Sequence, residues 1–404
     1  MKPTILIDLD DTLLVNDINT FVPAYLQALS TELKSLANPQ QLVSTLLAAT
    51  KRMVENRKPD CTLKEIFDAA FYPVLGLEIG RVQADIDRFY AEVFPGLRGL
   101  TSPRPEAKRL VEDVMARDYR VAVTTNPLFP RTAIYQRLDW AGLSPEKYPF
   151  DLITSYETFH FAKPQVAYYA EVLGRLGWPE GPVVMVGNDL TLDIAPARKL
   201  GLAAFWITPQ NGSPPPNTVE PPTAYGELDS LLPWLDGLPA ESLQADYTAP
   251  AAMLATLRAT PAVFHSTLQD VPLEAWSKRG RSDEWSLTEI LCHLRDVEAE
   301  VNLPRLQMVL QQHNPFLAGK DTDPWAEERL YICQNGPQAL HRFTTARLDL
   351  LSLLEAARPE DWQRPARHAI LGPTHLAELV GIIATHDRLH VRQAYHDLLE
   401  TSFS

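Results

Sequence analysis

Short apolar runs and longer amphipathic stretches alternate through the first half of the chain. The apolar runs occur at Thr4–Asp8, Val121–Thr125, Asp151–Thr154, Val183–Val186 and Ala203–Ile207, and their pattern is typical of strands in a parallel sheet. Stretches with helical spacing, such as Val166–Leu176 and Thr191–Leu200, separate the later runs. This alternation predicts a Rossmann-like α/β domain, in which helices cover both faces of a parallel sheet.

One long interval interrupts this alternation. Residues 15–97 contain no strand-like run, and amphipathic stretches such as Phe21–Leu36 and Gln41–Val54 predict helices there. We therefore expect a helical cap, inserted after the first strand. Most aromatic residues of this interval should form the core of the cap, although some could line a pocket together with residues 128–130; the aromatic residues in question are Phe21, Tyr25, Phe67 and Phe71.

After residue 250 the strand-like runs stop, and four long helical patterns follow. Apolar residues at helical spacing mark them, namely Met253, Leu257, Phe264 and Leu268, then Ile290, Leu294, Val297 and Val301, then Leu340, Phe343, Leu350 and Leu354, and finally Leu376, Leu379, Ile382, Ile383 and Leu398. Four amphipathic helices of this length predict an all-α four-helix bundle. We therefore divide the chain into an α/β domain at 1–237, a linker at 238–250 and a bundle at 251–404.

Composition narrows the classes of partner. The formal net charge is −14 over 404 residues, which argues against nucleic acid or an anionic membrane as the main partner, since both attract basic surfaces. No apolar stretch is long enough to span a membrane, and the N-terminus does not resemble a signal peptide. The three cysteines are widely spaced, so we expect no disulfide framework and a cytoplasmic location.

Acidic residues follow the first predicted strand directly. Asp8 and Asp10 lie two residues apart, and Thr12 follows them. Open α/β sheets bind ligands at the carboxyl ends of their strands, so these side chains occupy a favourable position for a site. Two neighbouring carboxylates repel each other, and Mg²⁺ with its preference for oxygen ligands would relieve that repulsion. Taken alone, however, the pattern is equally consistent with an acidic turn after a strand.

Three further signals occur in the same half of the chain. Thr125 and Asn126 end a predicted strand, and Lys163 precedes a proline at a loop-to-helix junction. A hydroxyl, backbone N–H groups and a fixed cation near a helix N-terminus all favour bound phosphate. Asp189 and Asp193 follow another predicted strand. Each signal alone has an ordinary alternative, such as a turn residue, a solvated charge or a helix cap, but their order after successive strands favours a common site.

These residues resemble, in order, the four motifs of the haloacid dehalogenase superfamily of phosphotransferases: Asp8, Asp10 and Thr12 the first, Thr125 the second, Lys163 the third, and Asp189 with Asp193 the fourth. The resemblance covers residues 1–237, and the helical interval is similar to the C1 cap of that family. Dehalogenases of the superfamily generally lack the second acid of the first motif. The presence of Asp10 therefore favours phosphoryl transfer to water over halide displacement.

The resemblance implies a role for each residue. Asp8 would attack phosphorus and form an aspartyl-phosphate, and Asp10 would act as the general acid and then as the general base. Thr125, Asn126 and Lys163 would hold the phosphoryl oxygens of a small phosphorylated metabolite. Mg²⁺ would be held by Asp8, the Asp10 carbonyl, and the fourth-motif acids Asp189 and Asp193. One departure is Asn188, which occupies a position that is acidic in a common form of the fourth motif, and which should weaken Mg²⁺ binding if it faces the metal.

Histidines form the second chemical pattern. His386 and His390 are four residues apart, so they share one helix face, on which Ile382 and Ile383 also lie. His293 lies on the apolar face of the second helix of the bundle. Three inward-facing histidines could be neutral and individually hydrogen-bonded, but a divalent metal with three imidazole ligands explains all three together.

The same region resembles the DinB-like four-helix superfamily, through residues 284–286, residues 292–294 and the pair His386 and His390. The resemblance implies Zn²⁺ or Ni²⁺ bound by His293, His386 and His390. Some members are transferases or hydrolases that act with a low-molecular-weight thiol, so a thiol-dependent activity of the bundle is one alternative. A non-catalytic role, as a binding module or in a homodimer formed through the bundle, is another.

Overall fold

The computed structural model describes residues 2–208, 220–281 and 284–402. The chain divides into two compact units, one of residues 1–172 and 179–246, and the other of residues 173–178 and 247–404. The first unit thus ends inside the segment that the sequence assigns to a linker. The domain boundaries at 237 and 250 stay predictions.

Six parallel strands form the central sheet of the first unit. The strands of this unit are β1 (Thr4–Ile7), β2 (Leu14–Val15), β3 (Ser102–Pro103), β4 (Arg120–Val123), β5 (Leu152–Ile153), β6 (Val183–Gly187), β7 (Ala203–Ile207) and β8 (Ala224–Gly226). The order in the sheet is β5–β4–β1–β6–β7–β8, while β2 and β3 form a separate antiparallel pair. All four residues of β1 are buried, because neighbouring strands flank it on both sides. The predicted parallel sheet is confirmed.

Nine α-helices begin within the described residues of the first unit. They are α1 (Ile18–Glu32), α2 (Pro39–Glu55), α3 (Leu63–Phe71), α4 (Ile79–Arg88), α5 (Pro105–Ala116), α6 (Arg131–Trp140), α7 (Val166–Arg175), α8 (Ala195–Leu200) and α9 (Leu231–Asp236). The first four lie in the interval between β2 and β3, where the sequence predicts a helical cap. A single apolar core joins residues of these four helices to residues of the sheet and its covering helices.

Side-chain caps begin three of the four helices in this interval. Asp17 accepts a hydrogen bond from the backbone of α1, and Asn38 does the same for α2. Thr62 and Glu65 form a reciprocal capping box at the start of α3. These caps satisfy backbone N–H groups that have no partner inside their own helix, so the helix starts are encoded locally.

The second unit contains the predicted four-helix bundle. Its helices are α10 (Pro250–Leu268), α11 (Leu287–Val297), α12 (Leu303–Gln311), α13 (Trp325–Glu328), α14 (Gly336–Glu355) and α15 (Leu376–Ser402). The four long ones, α10, α11, α14 and α15, pack against one another. Ser286 and Glu289 form a capping box that begins α11. No helix in the described part of the chain has both the length and the apolar character needed to cross a membrane.

Two expectations for this half of the chain are wrong. Strands do not stop at residue 250, because β9 (Phe316–Leu317), β10 (Pro365–His368) and β11 (Gly372–His375) form a small sheet beside the helices. These strands have two to four residues each, which is too short for a period to be recognised in the sequence. Ile382 does not face the bundle core either, since 45% of its surface is exposed, whereas Ile383 is buried.

Candidate active site and candidate metal centre

A buried lysine joins two carboxylates at the carboxyl end of the central sheet. The Nζ atom of Lys163 donates hydrogen bonds to Asp8 Oδ1 at 2.7 Å and to Asp193 Oδ1 at 2.5 Å. Burial raises the pKa of Asp8, and the charge of Lys163 opposes this rise. Burial also disfavours the charged form of Lys163. The negative charges of Asp193 and Asp8 outweigh this effect and hold the pKa of Lys163 well above its usual value. One fixed cation therefore lies between two acids.

Sheet geometry places Asp8 beside the residues that follow β6. Its backbone N–H donates to the carbonyl of Val186 at 2.9 Å, which continues the pairing of β1 with β6 by one residue. Gly187 ends β6, and a side chain at this position would collide with the carboxylate of Asp193. The glycine is therefore needed for the close approach of Asp193, which in turn accepts the backbone N–H of Asp189 at 3.0 Å.

The loop that carries Lys163 is fixed by buried polar contacts. The backbone N–H of Lys163 donates to Asn126 Oδ1 at 3.2 Å, and this bond connects the loop to the residues after β4. Earlier in the same loop, the backbone N–H groups of His160 and Phe161 donate to the buried carboxylate of Glu171. This carboxylate also contacts the imidazole of His160 at 2.7 Å. Buried polar groups that are fully paired make a loop rigid, so Lys163 projects from a well-defined backbone.

Thr125 lies two residues beyond the end of β4, the neighbour of β1 in the sheet. It is buried, and its carbonyl oxygen accepts hydrogen bonds from Thr154 Oγ1 at 2.8 Å and from Tyr168 Oη at 2.7 Å. The carbonyl thus has partners in the core. Asp8 follows β1, Thr125 and Asn126 follow β4, and Lys163 contacts both Asp8 and Asn126.

Asp10 pairs with an arginine that sequence analysis did not identify. Arg137 Nη1 donates to both carboxylate oxygens of Asp10, at 3.0 and 2.7 Å, and the side-chain amide of Asn16 donates to it at 2.7 Å. Arg137 is buried on the inner face of α6. The sequence does contain one signal that Arg137 is buried, because this residue lies at helical spacing from the apolar residues Ala133 and Ile134. Charged residues on such a face are rarely buried without a partner.

Three polar residues of the fourth motif make different contacts. Asp189 Oδ1 accepts the backbone N–H groups of Thr191 at 2.7 Å and Leu192 at 2.9 Å, so this side chain caps the following helical turn. Asn188 Oδ1 instead accepts the hydroxyl of Thr12 at 3.3 Å. The group that contacts Lys163 is Asp193. All these groups present oxygen donors, which suits Mg²⁺.

Three imidazoles converge inside the second unit. The Nε2 atom of His386 lies 3.1 Å from Nε2 of His293 and 3.1 Å from Nε2 of His390. One ligand atom from each of the three residues lies within 4.8 Å of the others, a spacing that suits a single metal ion. Burial lowers the pKa of each histidine to about 4. Neutral imidazoles keep the lone pairs that a metal requires.

Neighbouring side chains contact the ring of His390 in this histidine cluster. Gln393 Oε1 lies 3.1 Å from His390 Nδ1, and the ring of Trp285 is parallel to that of His390, with centroids 5.8 Å apart. The Nδ1 atom of His293 is buried without a hydrogen-bond partner among the described residues. Asp387, next to His386, pairs with the buried Arg347. Cys292 is buried, and burial raises the pKa of its thiol to about 11.

Family models match both parts of the chain. Residues 2–201 match the haloacid dehalogenase-like hydrolases, and residues 256–394 match the DinB superfamily. The first half of the chain therefore belongs to the haloacid dehalogenase-like hydrolases, and the helical region belongs to the DinB superfamily. Both predicted resemblances are confirmed.

Curated relatives match about a quarter of the chain. A ribulose-1,5-bisphosphate 5-phosphatase from Halopiger xanaduensis is 31% identical over 109 residues, which is 27% of this chain and 44% of the relative. A glyceraldehyde 3-phosphate phosphatase from Methanothermobacter thermautotrophicus is 27% identical over 108 residues, which is 27% of this chain and 46% of the relative. The chain thus spans less than half the length of the curated relatives it matches.

Solved structures resemble parts of the chain. A phosphatase of the haloacid dehalogenase family from Thermococcus onnurineus is 20% identical and has a TM-score of 0.39. The match covers 59% of this chain and 99% of the phosphatase chain. YfiT from Bacillus subtilis, described as having an unusual four-helix bundle topology, is 15% identical and has a TM-score of 0.36. The match covers 40% of this chain and 92% of the YfiT chain. The family assignment rests on the family models.

Proposed function

We propose that the first half of the chain is a Mg²⁺-dependent phosphatase that hydrolyses a small phosphorylated metabolite through an aspartyl-phosphate on Asp8. The observation that carries this proposal is the contact of Lys163 with both Asp8 and Asp193 at the edge of the sheet. A fixed cation beside a buried carboxylate both orients a nucleophile and offsets the charge of an incoming phosphoryl group. The two curated relatives that are named as phosphatases agree with this activity.

In the proposed reaction, a carboxylate oxygen of Asp8 forms a bond to phosphorus as the bond from phosphorus to the leaving oxygen breaks. Asp10 donates a proton to that leaving oxygen. Water then attacks the phosphorus of the aspartyl-phosphate, Asp10 takes its proton, and inorganic phosphate leaves while the carboxylate of Asp8 is restored. Lys163, Thr125 and Asn126 hold the phosphoryl oxygens during both steps.

The side chains of the site offer oxygen ligands, which Mg²⁺ prefers. Asp8, the carbonyl of Asp10 and Asp189 would hold it, with Asp193 as a further ligand or as support through Lys163. When bound, Mg²⁺ would reduce the repulsion between the carboxylates and an anionic substrate. Asn188 provides a neutral amide where a carboxylate is common in the family, so we expect weaker binding of the metal.

The test is turnover of p-nitrophenyl phosphate by the purified full chain in the presence of Mg²⁺. Asp8→Asn should abolish turnover, because an amide cannot attack phosphorus, and Asp10→Asn should lower it by about 10²-fold or more. Asp11→Asn is the matched control, since Asp11 is a neighbouring acid with no assigned role. Full turnover in the Asp8→Asn variant would rule out the proposed nucleophile. A screen of phosphorylated metabolites would then identify the substrate.

We also propose that the bundle binds a divalent transition metal, Zn²⁺ or Ni²⁺, through His293, His386 and His390. The convergence of their three Nε2 atoms supports this. Three protein ligands leave coordination positions open for water or a substrate. Metal analysis of the purified chain should find one equivalent of metal, lost in His390→Ala and kept in His396→Ala, an exposed histidine of the same helix. A folded wild-type bundle that takes up no metal would contradict the proposal.

Other expectations for this protein stay predictions. A thiol-dependent reaction in the bundle would require turnover with a low-molecular-weight thiol, and that turnover should disappear together with the metal in His390→Ala. A dimer formed through the bundle would be visible as a doubled mass in light scattering. A cytoplasmic location is likewise a prediction from the sequence.

A further inference from the structure

An apolar cavity lies between the helices of the inserted interval and two loops of the sheet domain. Its volume is about 210 Å³. Helices α1 to α4 contribute most of its wall, including Leu46 and Phe67, and the loops that follow β4 and β5 contribute Phe129 and Tyr156. Among its lining residues there is no charged side chain.

The polar side chains at the wall of this cavity carry hydroxyl groups, which are uncharged. The hydroxyl groups of Tyr25 and Tyr90 are hydrogen-bonded to each other at 2.9 Å. Burial raises the pKa of Tyr25 to about 12 and that of Tyr90 well above its usual value, so both phenols are uncharged. A sugar or polyol placed here would lose its hydrogen bonds to water and find few partners in return. The cavity therefore favours apolar ligands.

The loops that form one wall of the cavity also carry residues of the candidate active site. Phe129 lies three residues after Asn126, and the guanidinium group of Arg137 lies over its ring, 4.7 Å from the centroid. Arg137 in turn contacts Asp10. Tyr156 belongs to the loop that leads to Lys163, and its backbone N–H donates to the carbonyl of Phe129 at 3.4 Å. A molecule in the cavity would thus touch the loops that position the phosphate-binding residues.

We propose that the phosphate ester hydrolysed by this protein has an apolar leaving group, which this cavity binds. The inference rests on the phosphatase activity proposed above and adds the class of substrate. A dry cavity of about 150 Å³ holds benzene in another protein, so about 210 Å³ accommodates an aromatic ring with a small substituent or a short branched alkyl chain. The preferred substrates are aryl, arylalkyl or alkyl phosphates, and sugar phosphates are poor substrates.

The test compares benzyl phosphate with glycerol 1-phosphate, using the full chain and Mg²⁺. Both are esters of primary alcohols, so the chemical step is similar and the KM reports mainly on the leaving group. We expect the KM for benzyl phosphate to be at least about tenfold lower, since a benzyl group buries apolar surface that glycerol lacks.

A charge at the wall of the cavity tests its location. Leu47→Glu should raise the KM for benzyl phosphate about tenfold and leave that for glycerol 1-phosphate unchanged. Leu47 lines the cavity and is 50% exposed, so the substitution should not prevent folding. Ala48→Glu is the matched control, because it adds the same charge to the same helix at an exposed position outside the cavity.

The outcomes separate this inference from the proposed activity. Equal KM values for the two esters, unaffected by Leu47→Glu, would overturn the cavity assignment while the phosphatase activity stands. If no ester is hydrolysed, the proposed activity fails, and binding of benzyl alcohol in saturation-transfer NMR still tests the cavity. A signal that weakens in Leu47→Glu but not in Ala48→Glu supports the apolar site, and the absence of any signal overturns it.

Discussion

Arg137 Nη1 donates hydrogen bonds to both carboxylate oxygens of Asp10, at 3.0 and 2.7 Å. The arginine is 1% exposed, and its Nε and Nη2 atoms have no hydrogen-bond partner within the described residues. Its guanidinium group also lies over the ring of Phe129. A buried arginine that contacts a single carboxylate through one nitrogen is well placed to orient that carboxylate, so we regard Arg137 as a positioning residue for Asp10.

Arg137→Met should lower kcat by about 10- to 100-fold and leave KM nearly unchanged, because proton transfer by a misoriented Asp10 is slow while phosphate binding is intact. The measurement is steady-state turnover with Mg²⁺. The same substitution in the Asp10→Asn background should have little further effect, because the two residues act as a unit. An equal loss in both backgrounds would mean that Arg137 acts independently of Asp10.

Asn188→Asp should lower the Mg²⁺ concentration for half-maximal turnover by about tenfold, because a carboxylate attracts the ion more strongly than an amide does. Asp189→Ser should raise that concentration, because the substitution removes a proposed carboxylate ligand. Serine preserves the helix cap that Asp189 provides, so folding should be unaffected. An unchanged magnesium response in Asp189→Ser would assign this residue to capping alone.

The histidine cluster should make the stability of the second unit depend on pH. Burial lowers the pKa of His293, His386 and His390 from 6.5 to about 4 each. The unfolded chain therefore binds protons at a higher pH than the folded chain does. Stability is fully present above pH 6.5 and is lost as the pH falls towards 4.

Thermal unfolding in EDTA, followed by circular dichroism, should show the melting temperature falling across this window. EDTA is needed because a bound metal would compete with protons for the same nitrogen atoms. His390→Phe should flatten the dependence, whereas His396→Phe, at an exposed position of the same helix, should not. A melting temperature that is independent of pH between 6.5 and 4 would contradict the lowered pKa values.

Arg347 joins three helical segments through a buried ion network. It contacts Glu298 and Asp387, and its Nη1 atom donates to the carbonyl of Leu257 at 2.9 Å. Arg347→Met should lower the free energy of unfolding by about 3–5 kcal/mol, because two buried carboxylates lose their counter-charge. Chemical denaturation measures this loss. Adding Glu298→Gln and Asp387→Asn should recover part of it, and no recovery would show that packing, not charge, is responsible.

The strands with continuous apolar character were predictable. Residues of β1, β4, β6 and β7 are almost all buried, and a strand covered on both faces needs apolar side chains throughout. The edge strand β8 escaped prediction because its three residues are half-buried or exposed. The helices of the bundle were recognisable from their period, and the start of α11 from its capping box.

The sequence by itself determined the order of the acidic, hydroxyl and basic residues after successive strands, and the four-residue spacing of His386 and His390. Both features depend on local rules, since strand ends and helix turns place neighbouring residues predictably. Only the tertiary structure decided that Asp10 pairs with Arg137, that Asp193 contacts Lys163, and that some of the interval's aromatic residues line a cavity. Those contacts join residues 30 to 127 positions apart, and packing of whole elements, not local spacing, brings them together.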